Sequence, residues 1–316
     1  MPLKPMVKGN HIKTVNSLSG GRTSSFMAVH YPADIQIFAC VCIDFPDAKP
    51  KDPFLFRYCC EKLDSDFIAS AESEKTLKIM MQLEQKLGQE IIWVRGKSFD
   101  QIIDSAGCLP TWARRFCTTE LKILPIFEYI YFRHGFVKER IGYRYDESHR
   151  AYSNEREETV FELLDLFGTV QEAKEFIQKK YRKTKAIMKG YPFAQTVSES
   201  KYMKRKDITW ADKEYPMIDD RITHRTILRY WKKYQDFDFP SESNCAGCHH
   251  KSPESIHRQW TEEPQLLEWF ARQEEKGKFN TWHDDKVSYR EKKEMAFTEI
   301  LELVGSGSCE TGYCTD

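Results

Sequence analysis

The first hundred residues switch regularly between short apolar runs and helix-periodic segments, and this constrains the chain more than any other feature. Residues 11–18 (HIKTVNSL) read as a strand, 24–30 as the start of a helix, and 35–45 (IQIFACVCIDF) as one buried strand rich in β-formers. Helices are predicted over 52–63, 74–87 and 99–106, with a strand at 91–94. Parallel strands need a crossover, and the helix that makes it covers the sheet. The pattern therefore predicts an α/β fold with a Rossmann-like, doubly wound, mostly parallel sheet. Such sheets bind ligands at the carboxyl ends of their strands, which directs attention to the loops after Leu18, Phe45 and Val94.

The first of these loops carries the strongest local signal. In Ser17 to Ser25 (SLSGGRTSS) two glycines stand where the first strand passes into the first helix. Glycines let the backbone turn with its amides inward, hydroxyls add donors, and a helix amino terminus adds partial positive charge. Ser19, Gly20, Gly21, Arg22, Thr23 and Ser24 are thus candidate phosphate-binding residues, set against an ordinary glycine turn with a serine cap. Arg95 to Ser98 (RGKS) imitates the end of a Walker A loop, but the preceding glycine, Gly88, is too far away and a strand intervenes.

The second signal is Asn244 to Lys251 (NCAGCHHK), whose CAGCH fits covalent haem attachment, a zinc half-site, an iron–sulfur ligand pair or a redox dithiol. The opening MPLKPMVKGNHIK lacks the apolar core of a secretory signal, and no apolar run spans a bilayer. A cytoplasmic protein without a membrane anchor is expected, in a compartment that leaves its ten cysteines reduced. Haem attachment fits that compartment poorly. Zinc takes four closed ligands, and Cys245 and Cys248 with His249 or His250 are candidates. Cys40, Cys42, Cys59 and Cys60 fall in an apolar strand and a helix, where packing is the expected role. The 48 basic and 48 acidic residues cancel. Global charge therefore gives no support to a nucleic-acid partner, although a local patch is compatible with it.

Along the chain, residues 1–150 form the expected nucleotide-binding core. Residues 151–190 are dense in charge and read as a helical insertion, 191–239 as the completion of the core with a helix at 223–234, and 240–316 as a CxxC region. That last region has helices near 264–275 and 289–303 and a small-residue tail, SGSCETGYCTD. Cys309 and Cys314 in the tail are candidate mobile catalytic thiols, or incidental residues of a loose end.

Six segments in order resemble the PP-loop, or adenine-nucleotide alpha-hydrolase, superfamily, particularly its phosphoadenosine phosphosulfate (PAPS) reductase branch. The Ser17–Ser25 loop is similar to SGGxDS, Cys42 to Pro46 (CIDFP) occupies the place of DTG, and Cys117 to Pro125 (CTTELKILP) resembles C(S/T)xxLKxxP. Ile141 to Arg150 (IGYRYDESHR) resembles GxRxDExxxR, Tyr215 to Met217 (YPM) the YPL step, and Cys245 to Cys248 the late CxGC. Thr23 departs from the aspartate of SGGxDS, Phe45 and Pro46 from Thr-Gly, and Phe116 from the first of paired cysteines.

The resemblance implies a PP-loop fold that binds ATP or a sulfonucleotide. It makes Asp44 a candidate for base or ribose, and Gly142, Arg144 and Arg150 for phosphate or sulfate, with Lys122 as a further point charge. Asp146 and Glu147 would orient the arginines or hold Mg2+. It also places Cys117 opposite Cys245 and Cys248, three thiolates for a [4Fe-4S] cluster, with Zn2+ as the alternative metal and Cys108 as a candidate fourth ligand. The expected activity is ATP-dependent adenylation with sulfur transfer from a sulfur donor to an acceptor, tRNA and DNA included. Two rivals are a PAPS or adenosine phosphosulfate reductase that uses a thiol reductant, and a non-catalytic nucleotide-binding module with structural zinc.

Overall fold

The computed structural model describes residues 12–111, 115–152, 210–241, 245–276, 281–283 and 285–296. The charged insertion from 153 onward and the tail with Cys309 and Cys314 lie outside the described residues.

The centre is a five-stranded sheet made of β1 (Thr14–Leu18), β2 (Ile35–Ala39), β5 (Ile91–Val94), β6 (Val137–Arg140) and β7 (Ala211–Glu214). Its order is β5-β2-β1-β6-β7 and every pairing is parallel. The chain builds outward from β1 in one direction and then returns to build in the other, so the topological switch lies between β1 and β6.

Period-two alternation explains how both faces are covered. Ile35, Ile37 and Ala39 of β2 pack with Ile126, Phe127 and Ile130 of α6 (Leu124–His134) on one face. Phe38 and Trp93 point the other way, into a cluster with Leu55 of α2 (Pro53–Leu63) and Met80 and Leu83 of α3 (Glu74–Leu87). Cys40, Cys42 and Cys59 are buried in that cluster, with Cys60 packed against it.

The strand expected over 35–45 is two strands. The first ends at Ala39, and β3 (Cys42–Ile43) turns away to pair antiparallel with β4 (Ala69–Ser70) in a separate two-stranded sheet. The backbone N–H of Ala71 donates to the Val41 carbonyl at the break. Both pieces are fully buried, so no polar residue marks the change of partner.

The helices predicted over 74–87 and 99–106 are found at those bounds as α3 and α4 (Phe99–Ala106). Ser73 caps the first of these, and Gly88 closes it in a left-handed conformation. Ser98 and Gln101 form a capping box on the second. After α7 (Ser148–Tyr152) and α8 (Pro216–Asp219), α9 (His224–Trp231) packs on α1 (Arg22–His30), and α10 (Pro253–Glu262), α11 (Pro264–Lys276) and α12 (Tyr289–Glu294) gather around an aromatic core. No helix among the described residues is long and apolar enough to cross a membrane.

Candidate functional site

The loop after β1 is locked by its own hydroxyls. Ser24 Oγ accepts from the Ser19 backbone N–H at 3.1 Å and lies 3.0 Å from Ser19 Oγ, and the Gly21 carbonyl accepts from the Ser25 N–H at 3.1 Å. Gly20 sits at φ +80°, and a Cβ there would stand 2.4 Å from Thr76 Cγ2 of α3, so only glycine fits. Gly21 occupies the cap position of α1 and offers no side chain, so the first-turn amides of α1 carry no side-chain cap. Amides in that state, with the helix dipole behind them, suit an anion. Thr23, Ser24 and Ser25 are buried around them. The Arg22 guanidinium instead lies 5.4 Å from the Phe239 ring centroid.

The loop after β6 forms the facing wall across the switch point. Gly142 is close-packed on α1, where an added Cβ would lie 3.6 Å from Ser24 Cα. Arg144, 2% exposed, donates from Nη1 to Thr23 Oγ1 at 3.1 Å. Its charge is met by Glu147 at 3.1 Å and Asp146 at 3.4 Å. Arg150 reaches the other oxygen of Glu147 at 2.7 Å and lies 4.4 Å over the Tyr143 ring. Tyr143 in turn stacks on Tyr215, with centroids 5.7 Å apart and planes within 5°. Sequence reasoning missed this ladder because the two tyrosines flank different strands.

The cysteines occupy a second corner. The CxxC segment docks as an edge on the small sheet. Glu72 and Cys245 form an antiparallel bridge, and the Ala246 N–H donates to the Ala71 carbonyl at 2.9 Å. Glu72 is 1% exposed and its carboxylate holds Lys122 at 3.0 Å. Burial works against the Lys122 ammonium, but Glu72 and the sulfurs of Cys245 and Cys248 hold its pKa above the ordinary value.

Lys122 is carried by a π-helical turn (Thr119–Ile123), which follows the short helix α5 (Phe116–Thr118) that bears Cys117. Cys117, Cys245 and Cys248 lie near enough to act on one another's charge. Burial, reinforced by Cys248, pushes the Cys117 thiol up to about 11, and burial raises Cys245 further. Cys108 is a half-buried free thiol.

Three half-buried sulfurs within electrostatic reach of one another are the donor set that a thiolate-binding metal would use, and a bound cation would remove the charge penalty that keeps Cys117 and Cys245 protonated. Among the described residues, no three His, Cys, Asp or Glu side chains converge closely enough to hold an ion as they stand. His249 and His250 are pushed by burial down to about 3 and about 4, so both are neutral near pH 7.

Helix α12 supports the CxxC turn from below. Tyr289 donates to the Gly247 carbonyl at 3.2 Å, and its hydroxyl lies 3.2 Å from His283 Nε2. Asp285 accepts from buried Lys292 at 2.9 Å. Gly247 lies so close to Phe270 that a Cβ would stand 2.4 Å from the ring.

The structure thus brings Ser19, Gly20, Gly21, Thr23, Ser24, Gly142, Arg144 and Arg150 to one crevice, turns the Arg22 side chain to Phe239, and gathers Cys117, Cys245 and Cys248 in a second corner with Lys122. Asp44 is exposed and accepts from Ser98 Oγ, the cap of α4, at 2.5 Å. Glu72 was not singled out in the sequence. No protein-family model, curated protein or solved structure matches this chain.

Proposed function

We propose that this protein is a PP-loop enzyme of the PAPS-reductase-like kind that binds an adenine nucleotide and carries out ATP-dependent sulfur transfer beside a cysteine-held metal. The observation that carries the reading is the crevice at the sheet's topological switch, where the side-chain-free amino terminus of α1 faces buried Arg144. Amides of α1 and the hydroxyls of Ser19, Thr23 and Ser24 receive the phosphates. Arg144, fixed by Glu147 and Asp146, keeps Thr23 oriented toward them.

In the adenylation step an acceptor oxygen attacks the α-phosphorus and the bond to pyrophosphate breaks. A sulfide-level donor then forms the carbon–sulfur bond, and AMP leaves with the acceptor oxygen. Cys117, Cys245 and Cys248 would hold the metal, as a [4Fe-4S] cluster or Zn2+. When bound, an iron–sulfur cluster with an open iron supplies a place to hold reduced sulfur. The Glu72–Lys122 pair keeps a cation against that corner.

Sulfonucleotide reduction is the second reading. It is favoured by Arg144 and Arg150 converging on Glu147 beside the loop, since guanidinium forks suit sulfate as well as phosphate. Isotopic pyrophosphate exchange with ATP tests the choice. Exchange supports adenylation, release of sulfite from a sulfonucleotide supports reduction, and neither with any acceptor supports a binding module with structural zinc.

A further inference from the structure

In a chain of zero net charge, residues 221–233 (RITHRTILRYWKK) hold five Lys and Arg and no carboxylate. Arg221, Arg225, Arg229, Lys232 and Lys233 are all exposed. Helix α9 explains the pattern. Its inner face, Ile227 and Trp231, is buried against Phe26 and Met27 of α1, and Arg225 and Arg229 stand one turn apart on the opposite face. Among the described residues no ion pair takes up any of these five cations, whereas Lys62, Arg140 and Arg290 each have a carboxylate at about 3 Å. Cations without a carboxylate partner among the described residues repel one another and remain cheap only in water or against a polyanion.

The placement of the stripe is as informative as its charge. At one end the His224 N–H donates to Asp146 of the wall loop at 3.3 Å. Near the other, Trp231 Nε1 donates to the carbonyl of Arg22, the first residue of α1, at 2.9 Å. Helix α9 is therefore the rim of the crevice. At its Asp146 end stands Tyr145, 47% exposed, with its backbone tied to the Ile222 carbonyl at 2.8 Å. An exposed aromatic side chain on a tethered backbone, beside exposed cations, is the combination that stacks an unpaired base while the backbone phosphates run along the cations.

We propose that α9 and Tyr145 form a docking surface for a single-stranded segment of nucleic acid, its phosphates on Arg221, Arg225, Arg229, Lys232 and Lys233 and a base on Tyr145. The sulfur acceptor is then a base or sugar of that strand. This last part rests on the sulfur-transfer reading above, whereas the docking surface itself does not.

The test is fluorescence anisotropy of the full chain with a labelled strand of roughly 12 nucleotides, as RNA, as DNA and as duplex. Five phosphate contacts predict that log K falls with log salt at a slope of about −3.5 on single strands. In Arg225→Gln/Arg229→Gln/Lys233→Gln the slope should flatten to about −1.4, with affinity down at least tenfold at about 50 mM salt. Tyr145→Ala should lose roughly five-fold or more in affinity with its slope unchanged.

Equal affinity of wild type and triple variant for single strands would overturn the proposal. So would tighter binding to duplex than to strand, or equal binding of an acidic peptide of the same charge. Binding of either RNA or DNA strands in the predicted pattern supports it, and the tighter of the two names the natural source. ATP binding by the wild type separates the two readings: a wild type that binds ATP but no strand removes the docking surface alone, and one that binds strand but no ATP removes the phosphate site alone. Intact ATP binding by the triple variant is the control that its loss is confined to the strand.

Discussion

Arg144 Nη1 donates to Thr23 Oγ1 at 3.1 Å and so ties the loop after β6 to the first turn of α1, across the line where the sheet reverses its order. The arginine is buried with Glu147, itself 4% exposed. Removing one partner of a buried pair leaves an uncompensated charge, at a cost of about 3–5 kcal/mol. Arg144→Ala should therefore lower stability by about that much. Arg144→Lys keeps the charge but cannot fork to Thr23, Asp146 and Glu147 together, and should fold while binding ATP more weakly. Chemical denaturation and equilibrium ATP binding measure the two effects. ATP affinity unchanged in a folded Arg144→Lys variant would remove the arginine from the site.

Gly20 and Gly21 are separable by their physics. At Gly20 the left-handed φ costs alanine about 1 kcal/mol, and the clash with Thr76 Cγ2 adds to it. Gly20→Ala should thus unfold more readily, and Thr76→Ser in the same chain should recover part of the loss. Gly21 has an extended conformation that any residue adopts. Gly21→Asp should fold near normally yet fail to bind ATP, because a carboxylate then occupies the anion's place on the α1 amides. A Gly21→Asp protein that bound ATP at wild-type strength would place the phosphates elsewhere.

Much of this architecture was legible in the sequence where local rules coincide. Helix α3 runs from the Ser73 cap to Gly88, and α4 has both a capping box and a terminal glycine, so their bounds follow from nearest neighbours alone. The break between Ala39 and Cys42 was not legible, because its cause is a partner, Ala71, distant in sequence. The crevice at the sheet's switch point shows the same division. Its glycine loop is local, but the burial of Arg144 and its bond to Thr23 arise only when β6 pairs with β1. Glu72 was hidden for that reason too, since the residues that give it meaning, Lys122 and Cys245, lie far along the chain.

Glu274 offers a pH test of the C-terminal region. Its carboxylate accepts from the backbone N–H groups of Trp282 at 2.9 Å and Tyr289 at 2.6 Å, and burial raises its pKa to about 7 from an ordinary 4.5. A raised carboxyl pKa means that the folded state holds the proton more tightly than the unfolded one between pH 4.5 and about 7. Its contribution is thus fully present below the unfolded pKa and is lost as pH rises through the folded one. That loss is on the order of 3 kcal/mol from the size of the shift. Glu274→Gln cannot titrate, so the stability of wild type relative to this variant should fall as pH rises from about 5 to 8. A constant difference across that range, by urea denaturation at each pH, would show that Glu274 does not titrate there.

The proposed metal site is tested most sharply through a residue that carries no donor. Gly247 lies between Cys245 and Cys248 and is pressed against Phe270, so Gly247→Ala must push the turn away from α11 or move the ring. Either movement shifts the two sulfurs relative to Cys117, while no thiol is lost. Anaerobically purified Gly247→Ala should therefore contain markedly less iron or zinc per chain than wild type, and Gly247→Ala/Phe270→Leu should regain part of it, because the shorter side chain vacates the space a Cβ requires. Cys117→Ser should lose metal without that rescue. Metal analysis and thiol titration on the same preparations read both outcomes. Full metal content in Cys117→Ser would separate Cys117 from the CxxC site and leave Cys245 and Cys248 to bind with other partners.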